Sequence, residues 1–263
     1  MKMSLVSVIY PVYNDSPDDI RLSMGSIIGQ DYKDLEIIVI DDSTDKATIA
    51  ALDEYRTDER VIIIRENGKN GLAQALNNGL KVAQGMFIAR ADADDIQDLS
   101  RISKQISYLK AHPEIGILGS NVNYIDAEGK FVKTRIFPEN PDKISQALHL
   151  RNPICHSVVM IRKSVLDQIG VYDVDFKRAE DYELWFRADA NGVKIANLQE
   201  VLLNYKMANA VKRDDLNWKL NLKLKKKYFS RNYLTESLIG IASVYLYLYT
   251  PKSVQNFIYN KLA

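Results

Sequence analysis

Four apolar runs alternate with amphipathic segments over the first 95 residues or so. Residues 5–10, 36–40, 61–64 and 86–89 are rich in Val and Ile, and each reads as a buried strand. Between them lie helical patterns. Ser16-Pro17-Asp18-Asp19 has the form of a helix start, with a capping hydroxyl, proline at the first helical position and acids in the first turn. Ile20, Met24, Ile27 and Ile28 follow at helical spacing. Residues 48–55 and 72–83 complete a β-α-β-α-β-α-β alternation. Short loops with this order predict a mostly parallel, Rossmann-like α/β sheet with helices on both faces.

The second half is less regular. Residues 101–111, 163–169 and 179–187 read as helices, and 115–119, 131–133 and 157–161 as strands or apolar runs. The tail then changes character. From residue 212 to 263 there are ten Lys/Arg against three Asp/Glu, a balance of +7. The whole chain carries +1, so residues 1–211 carry −6. This divides the chain into a domain at 1–211 and a basic, apolar, helical tail at 212–263. Residues 234–249 are rich in Leu, Ile, Val and Tyr, but the run is shorter than the ~20 apolar residues of a membrane span. Basic residues beside such a run suit the face of an anionic membrane. A second reading has the tail pack back on the domain or on a second subunit in a homodimer.

Hydrophobic content of 46% and charged content of 26% describe a folded chain. The near-neutral total and the absence of a nucleic-acid-binding motif exclude a nucleic-acid partner. The single cysteine, Cys155, precludes an intrachain disulfide and fits a reducing compartment. The run at 5–12 is interrupted by Pro11 and has no small-residue cleavage site after it, so it reads as a strand and not a leader peptide. These features place the chain in the cytoplasm, peripheral on the inner face of the cell membrane.

Chemistry concentrates where strands end. Open α/β sheets bind ligands beyond their strands' carboxyl ends. Three such ends carry polar clusters: Tyr13-Asn14-Asp15, Asp41-Asp42-Ser43 and Asp92-Ala93-Asp94-Asp95. The last offers hard oxygen ligands suited to Mg²⁺ or Mn²⁺ with phosphate oxygens; by itself it is also compatible with a solvated turn. It lacks the glycine and glutamate spacing of an EF-hand, and the chain has neither a P-loop nor G-x-G-x-x-G. Glu180-Asp181 either caps a helix dipole or supplies a general base. His156 is either structural or part of the site, and Tyr13 either stacks on a base or packs in its loop.

Taken in order, several segments resemble the family 2 inverting glycosyltransferases, which have the GT-A fold. They include Val6 to Asn14, Ser26 to Gln30, Glu36 to Thr44, Asn70 to Asn77, Ala89 to Ile96, His156 to Met160 and Glu180 to Trp185. The resemblance covers about residues 4–206. It implies that Pro11, Tyr13 and Asp42 hold the nucleotide base and that Asp92 contacts the ribose or the metal. Asp94 would ligate the metal, Mn²⁺ or Mg²⁺, and Asp181 would deprotonate the acceptor hydroxyl. Glu180, Trp185 and, more loosely, His156 would shape the acceptor or donor-sugar site. Ala91 stands where many relatives carry a bulkier apolar residue. The expected activity is metal-assisted transfer of a hexose or N-acetylhexosamine from a nucleotide-sugar, UDP-linked, to a growing lipid-linked saccharide of a capsule or exopolysaccharide. The alternative is a non-catalytic module that binds nucleotide-sugar or saccharide at the membrane.

Overall fold

A computed structural model describes residues 4–66, 68, 70–207 and 215–251. Asn67 and Lys69, between the third strand and the following helix, the 211/212 boundary and the tail's residues 212–214 and 252–263 lie outside the described residues. Four parallel strands form one half of the sheet: β1 (Val6–Val12), β2 (Leu35–Asp41), β3 (Val61–Arg65) and β4 (Phe87–Arg90). Their order is β3-β2-β1-β4. The helices α1 (Pro17–Ile28), α2 (Lys46–Asp53) and α3 (Leu72–Val82) connect them. Every residue of β2 is buried, as expected of a strand covered on both faces.

Local chemistry sets the helix starts. Ser16 Oγ accepts from the Asp19 amide at 3.1 Å, with Pro17 in the first helical turn. Asp45 accepts from the Thr48 amide at 3.0 Å and starts α2. β1 continues through Pro11, where the sequence pattern stops it. Pro11 lies opposite Ile40 in the parallel ladder, so the residue is extended although it has no N–H to donate.

The rest of the sheet is mixed. It comprises β5 (Ile96–Gln97), β6 (Ile115–Ile125), β7 (Phe131–Arg135), β8 (Met160–Arg162) and β9 (Lys194–Lys206). β8 pairs antiparallel with β4 and β6, while β6 and β9 run parallel. The surrounding helices are α4 (Arg101–Ala111), α5 (Pro141–Leu148), α6 (Lys163–Ile169) and α7 (Glu180–Ala190). β6 is more than twice the length expected from its apolar run, because its polar far half is held by β7 and β9. β9 and α5 have no counterpart in the sequence reading. Asn140-Pro141 does repeat the start signal of α1, and the Asn140 side chain accepts from the Lys143 amide at 3.2 Å.

The tail is a helical pair, α8 (Asp215–Lys227) and α9 (Leu234–Tyr249). It is docked on the domain. Leu224 is fully buried in the main core, and Tyr228 stacks on Phe186 of α7 with ring centroids 5.3 Å apart. Ser237 Oγ and His149 Nδ1 are 3.2 Å apart, and Gln146 donates to Glu236 at 2.6 Å. No helix among the described residues is long and apolar enough to cross a membrane.

Candidate active site

The ends of β1, β2 and β4 meet at one edge of the sheet. Asn14 holds two of these loops together. It adopts φ 57°, a left-handed conformation that asparagine tolerates. Its side-chain oxygen accepts from the amides of Thr44 and Asp45 at 2.8 and 2.9 Å. Beside this junction lies a cavity of about 250 Å³ lined by Pro11, Tyr13, Asp15, Asp42, Leu72 and Asp92, among others. Asp42 is almost wholly buried. One of its carboxylate oxygens accepts from the Asn70 amide at 3.4 Å, and the other has no donor. Burial, with the nearby Glu66 and Asp41, pushes this carboxyl above its usual range.

The aspartate cluster after β4 is a graded set. Asp92 bonds to the buried guanidinium of Arg90 and to the Ser157 hydroxyl. Burial opposes its ionisation, but the Arg90 charge and the bond from the Ser157 hydroxyl hold it below the usual carboxylate range. Asp94 is pushed up to about 6 by burial and by the charges of Asp92 and Asp15. Asp95 faces inward: one oxygen accepts from the Lys206 amide at 2.8 Å and the other is buried without a donor. Among the described residues no three carboxylate, imidazole or thiol groups form a closed metal cage. The donor set nevertheless fits a divalent cation, since Asp92 and Asp94 are hard oxygen donors whose mutual repulsion a cation would relieve. They leave positions for phosphate oxygens.

Contacts run from this cluster to Asp181. Ser157 follows His156, whose Nε2 is 2.9 Å from the Tyr172 hydroxyl. Burial and the Arg90 charge push the imidazole down to about 3, so it is neutral. Its ring lies edge-on to Trp185 of α7, centroids 5.9 Å apart. Trp185 is fully enclosed, so any influence it has on a bound sugar passes through its neighbours. The first turn of the same helix carries Glu180 and Asp181. Asp181 accepts from the Asn152 side-chain amide and from the Tyr182 backbone amide, both at 2.7 Å. It lines a second and larger cavity of about 790 Å³, together with Asn152, Arg178, Trp218, Lys225 and Tyr247.

Glu180 is buried next to Asp181. Desolvation first, and then the Asp181 charge, push it up to about 7. The folded chain therefore holds this proton more tightly than the unfolded chain does. The resulting stabilisation is fully present below the ordinary glutamate value and is lost as pH rises through about 7. Glu180→Gln should raise the melting temperature at roughly pH 8 and leave it near wild type at roughly pH 5. Thermal unfolding across this range checks the expectation; a parallel shift at both ends would contradict it.

Several site residues carry no motif of their own. Arg90 and Arg101 are buried arginines, and Arg101 donates to the carbonyls of Arg90 and Val159 at 2.8 and 3.0 Å. A charged residue closing a buried apolar strand was the available signal for Arg90. Ser157 and Asn152 reach their aspartates across 65 and 29 residues of chain, and no local pattern shows that.

A parallel half-sheet with carboxylates beyond its strand ends, continued by mixed strands and a later helix that carries a further carboxylate, is the arrangement expected of a GT-A-type glycosyltransferase. The chain belongs to glycosyl transferase family 2, whose model matches residues 7–170. It is 34% identical over 209 residues to the UDP-Glc:alpha-D-GlcNAc-diphosphoundecaprenol beta-1,3-glucosyltransferase WfaP of Escherichia coli, covering 78% of each chain. It is 30% identical over 269 residues to the amylovoran biosynthesis glycosyltransferase AmsE of Erwinia amylovora, covering 98% of each. Among solved structures it is similar to the mannosyltransferase PcManGT of Pyrobaculum calidifontis in complex with GDP-Man and Mn²⁺. That likeness has a TM-score of 0.66 at 21% identity and covers 93% of this chain and 70% of the other. The protein is thus an enzyme, and the non-catalytic alternative falls away.

Proposed function

We propose that the enzyme moves a hexose or N-acetylhexosamine from a UDP-linked donor to a hydroxyl of a growing, lipid-linked saccharide, with inversion at the anomeric carbon. One observation carries this reading: the cavity at the strand ends is lined by Asp42, one of whose carboxylate oxygens is buried without a donor. A buried acceptor of this kind suits the imide N–H of uracil, and Tyr13 and Pro11 would flank the ring. Asp92 and Asp94 would hold a divalent metal, Mn²⁺ or Mg²⁺, which supplies Lewis-acid neutralisation of charge on the leaving diphosphate. Asp181 would take the proton from the acceptor hydroxyl as the acceptor oxygen bonds to the anomeric carbon and the bond to the nucleoside diphosphate breaks. Glu180 and His156 would border the sugar, with Trp185 behind them.

The name of the WfaP relative pairs a UDP-sugar with a diphosphoundecaprenol-linked acceptor, which supports the donor and acceptor classes. Peripheral contact with the inner face of the membrane would use Leu238, Ile239, Leu246 and Tyr249, exposed on α9.

A thermal-shift panel of UDP- and GDP-sugars with and without Mn²⁺ tests the donor. A ligand at 100 times its Kd stabilises the fold by about 2.7 kcal/mol. UDP-sugars should raise the melting temperature in the presence of Mn²⁺, and Asp42→Ala should remove most of the shift. A response to GDP-sugars alone would overturn the uracil assignment.

A further inference from the structure

The tail helices do more than cover the domain. The larger cavity is lined by Asp181 and Asn152 of the domain and by Trp218 of α8 with Tyr247 of α9. The two rings are stacked, centroids 4.1 Å apart and tilted by 29°. The tail also fixes the approach to Asp181. Asn217, next to Trp218, donates its side-chain amide to the Arg178 carbonyl at 2.6 Å. Arg178 has φ 68°, a left-handed conformation disfavoured for a long side chain, three residues before Asp181. One turn of α8 therefore holds the strained loop that presents Asp181 and places an aromatic pair in the lining of the same cavity.

We propose that the α8–α9 hairpin is the acceptor-binding wall, with the Trp218–Tyr247 stack as the platform for the acceptor's terminal sugar ring. This rests on the assignment of Asp181 to the acceptor side. A pyranose has an apolar C–H face and a polar rim. An indole beside a carboxylate and a side-chain amide matches both, and a cavity of about 790 Å³ has room for a saccharide. The wall is anchored: Leu224 lies in the core, and buried Lys225 donates to the His149 carbonyl at 2.7 Å. Trp218 thus acts in acceptor selection, apart from the nucleotide cavity lined by Asp42.

The chain has two tryptophans, and Trp185 is fully enclosed, so tryptophan fluorescence can report on Trp218. The full chain, with UDP and Mn²⁺, is titrated with methyl glycosides of glucose, galactose, mannose and N-acetylglucosamine. At least one should give a saturable change that Trp218→Phe abolishes. By calorimetry Trp218→Phe should retain binding of that glycoside, whereas Trp218→Ala weakens it by about tenfold. UDP binding should be unchanged in both variants, which also reports that they fold. The proposal is overturned if no glycoside gives a saturable change, if the change survives in Trp218→Phe, if Trp218→Ala binds as wild type, or if the glycoside displaces UDP. Because the readout needs no turnover, loss of the Asp181 base assignment would leave it intact, and its failure would leave that assignment standing.

Discussion

Asp181→Asn should reduce sugar transfer by about two to four orders of magnitude while leaving UDP affinity close to wild type. A carboxamide cannot take the acceptor's proton at neutral pH, so the attacking oxygen loses its general base. The geometry adds a second, smaller effect. Both Asp181 oxygens are occupied, one by the Asn152 side-chain amide and one by the Tyr182 backbone amide, each at 2.7 Å. An asparagine must turn its own NH₂ toward one of these donors and forfeit that bond, a cost of about 1 kcal/mol. Removing the charge also relieves Glu180, whose raised pKa owes its second-largest cause to Asp181. The pH-dependent loss of stability assigned to Glu180 should therefore move to higher acidity in the variant with no change in sign. Steady-state transfer kinetics and calorimetric UDP binding check the main effect. Near-wild-type turnover would remove Asp181 as the base.

The parts of this site that were legible in the sequence are those fixed by local pattern. Continuous apolar runs specify β1 to β4 because strands covered on both faces need no polar alternation. Ser16-Pro17 fixes the start of α1, and strand ends place Asp42 and Asp92 to Asp95 on one edge. The parts that were not legible depend on distant partners. Nothing adjacent to Asp92 indicates that Ser157 will hold one of its oxygens. Trp185 belongs to a recognisable segment, but only the packing of α7 against His156 shows that its ring is wholly enclosed. β9 escaped because exposed Glu200 and other polar residues interrupt its apolar positions, while β6 supplies the pairing that holds it extended. In the tail, the basic and aromatic composition suits a membrane face as well as a protein face. The buried Leu224 and Lys225 show that one side of the hairpin is already committed to the domain. Among the described tail residues, any membrane contact is therefore left to the outward sides of α8 and α9.

That commitment makes Gly240 a sensitive position in α9. Gly240 lies where α9 crosses the end of α5, and a Cβ added there would sit 1.8 Å from the His149 carbonyl oxygen and 3.1 Å from Lys225 Nζ. The nearer contact is with backbone, which cannot rotate away. Gly240→Ala gains about 1 kcal/mol of helix propensity and incurs an overpacking penalty of about 1–3 kcal/mol or more. The penalty should exceed the gain, because relief of a 1.8 Å contact requires α9 to move by over an ångström. That movement also threatens the bond from Lys225 to His149, which would leave the buried ammonium with the Tyr182 hydroxyl at 3.2 Å and one partner fewer. α9 should therefore lift from the domain, taking Tyr247 away from Trp218 and opening the cavity in front of Asp181. The expected result is faster proteolytic cleavage within the tail and strongly reduced transfer, with UDP affinity retained because the nucleotide cavity draws on β1, β2, β4 and α3. Ala242→Ser, on the exposed side of α9 and outside the lining of the larger cavity, serves as the control. Wild-type protease resistance and transfer in Gly240→Ala would mean that the hairpin can shift without cost, and that its docking does not shape the acceptor side of the site.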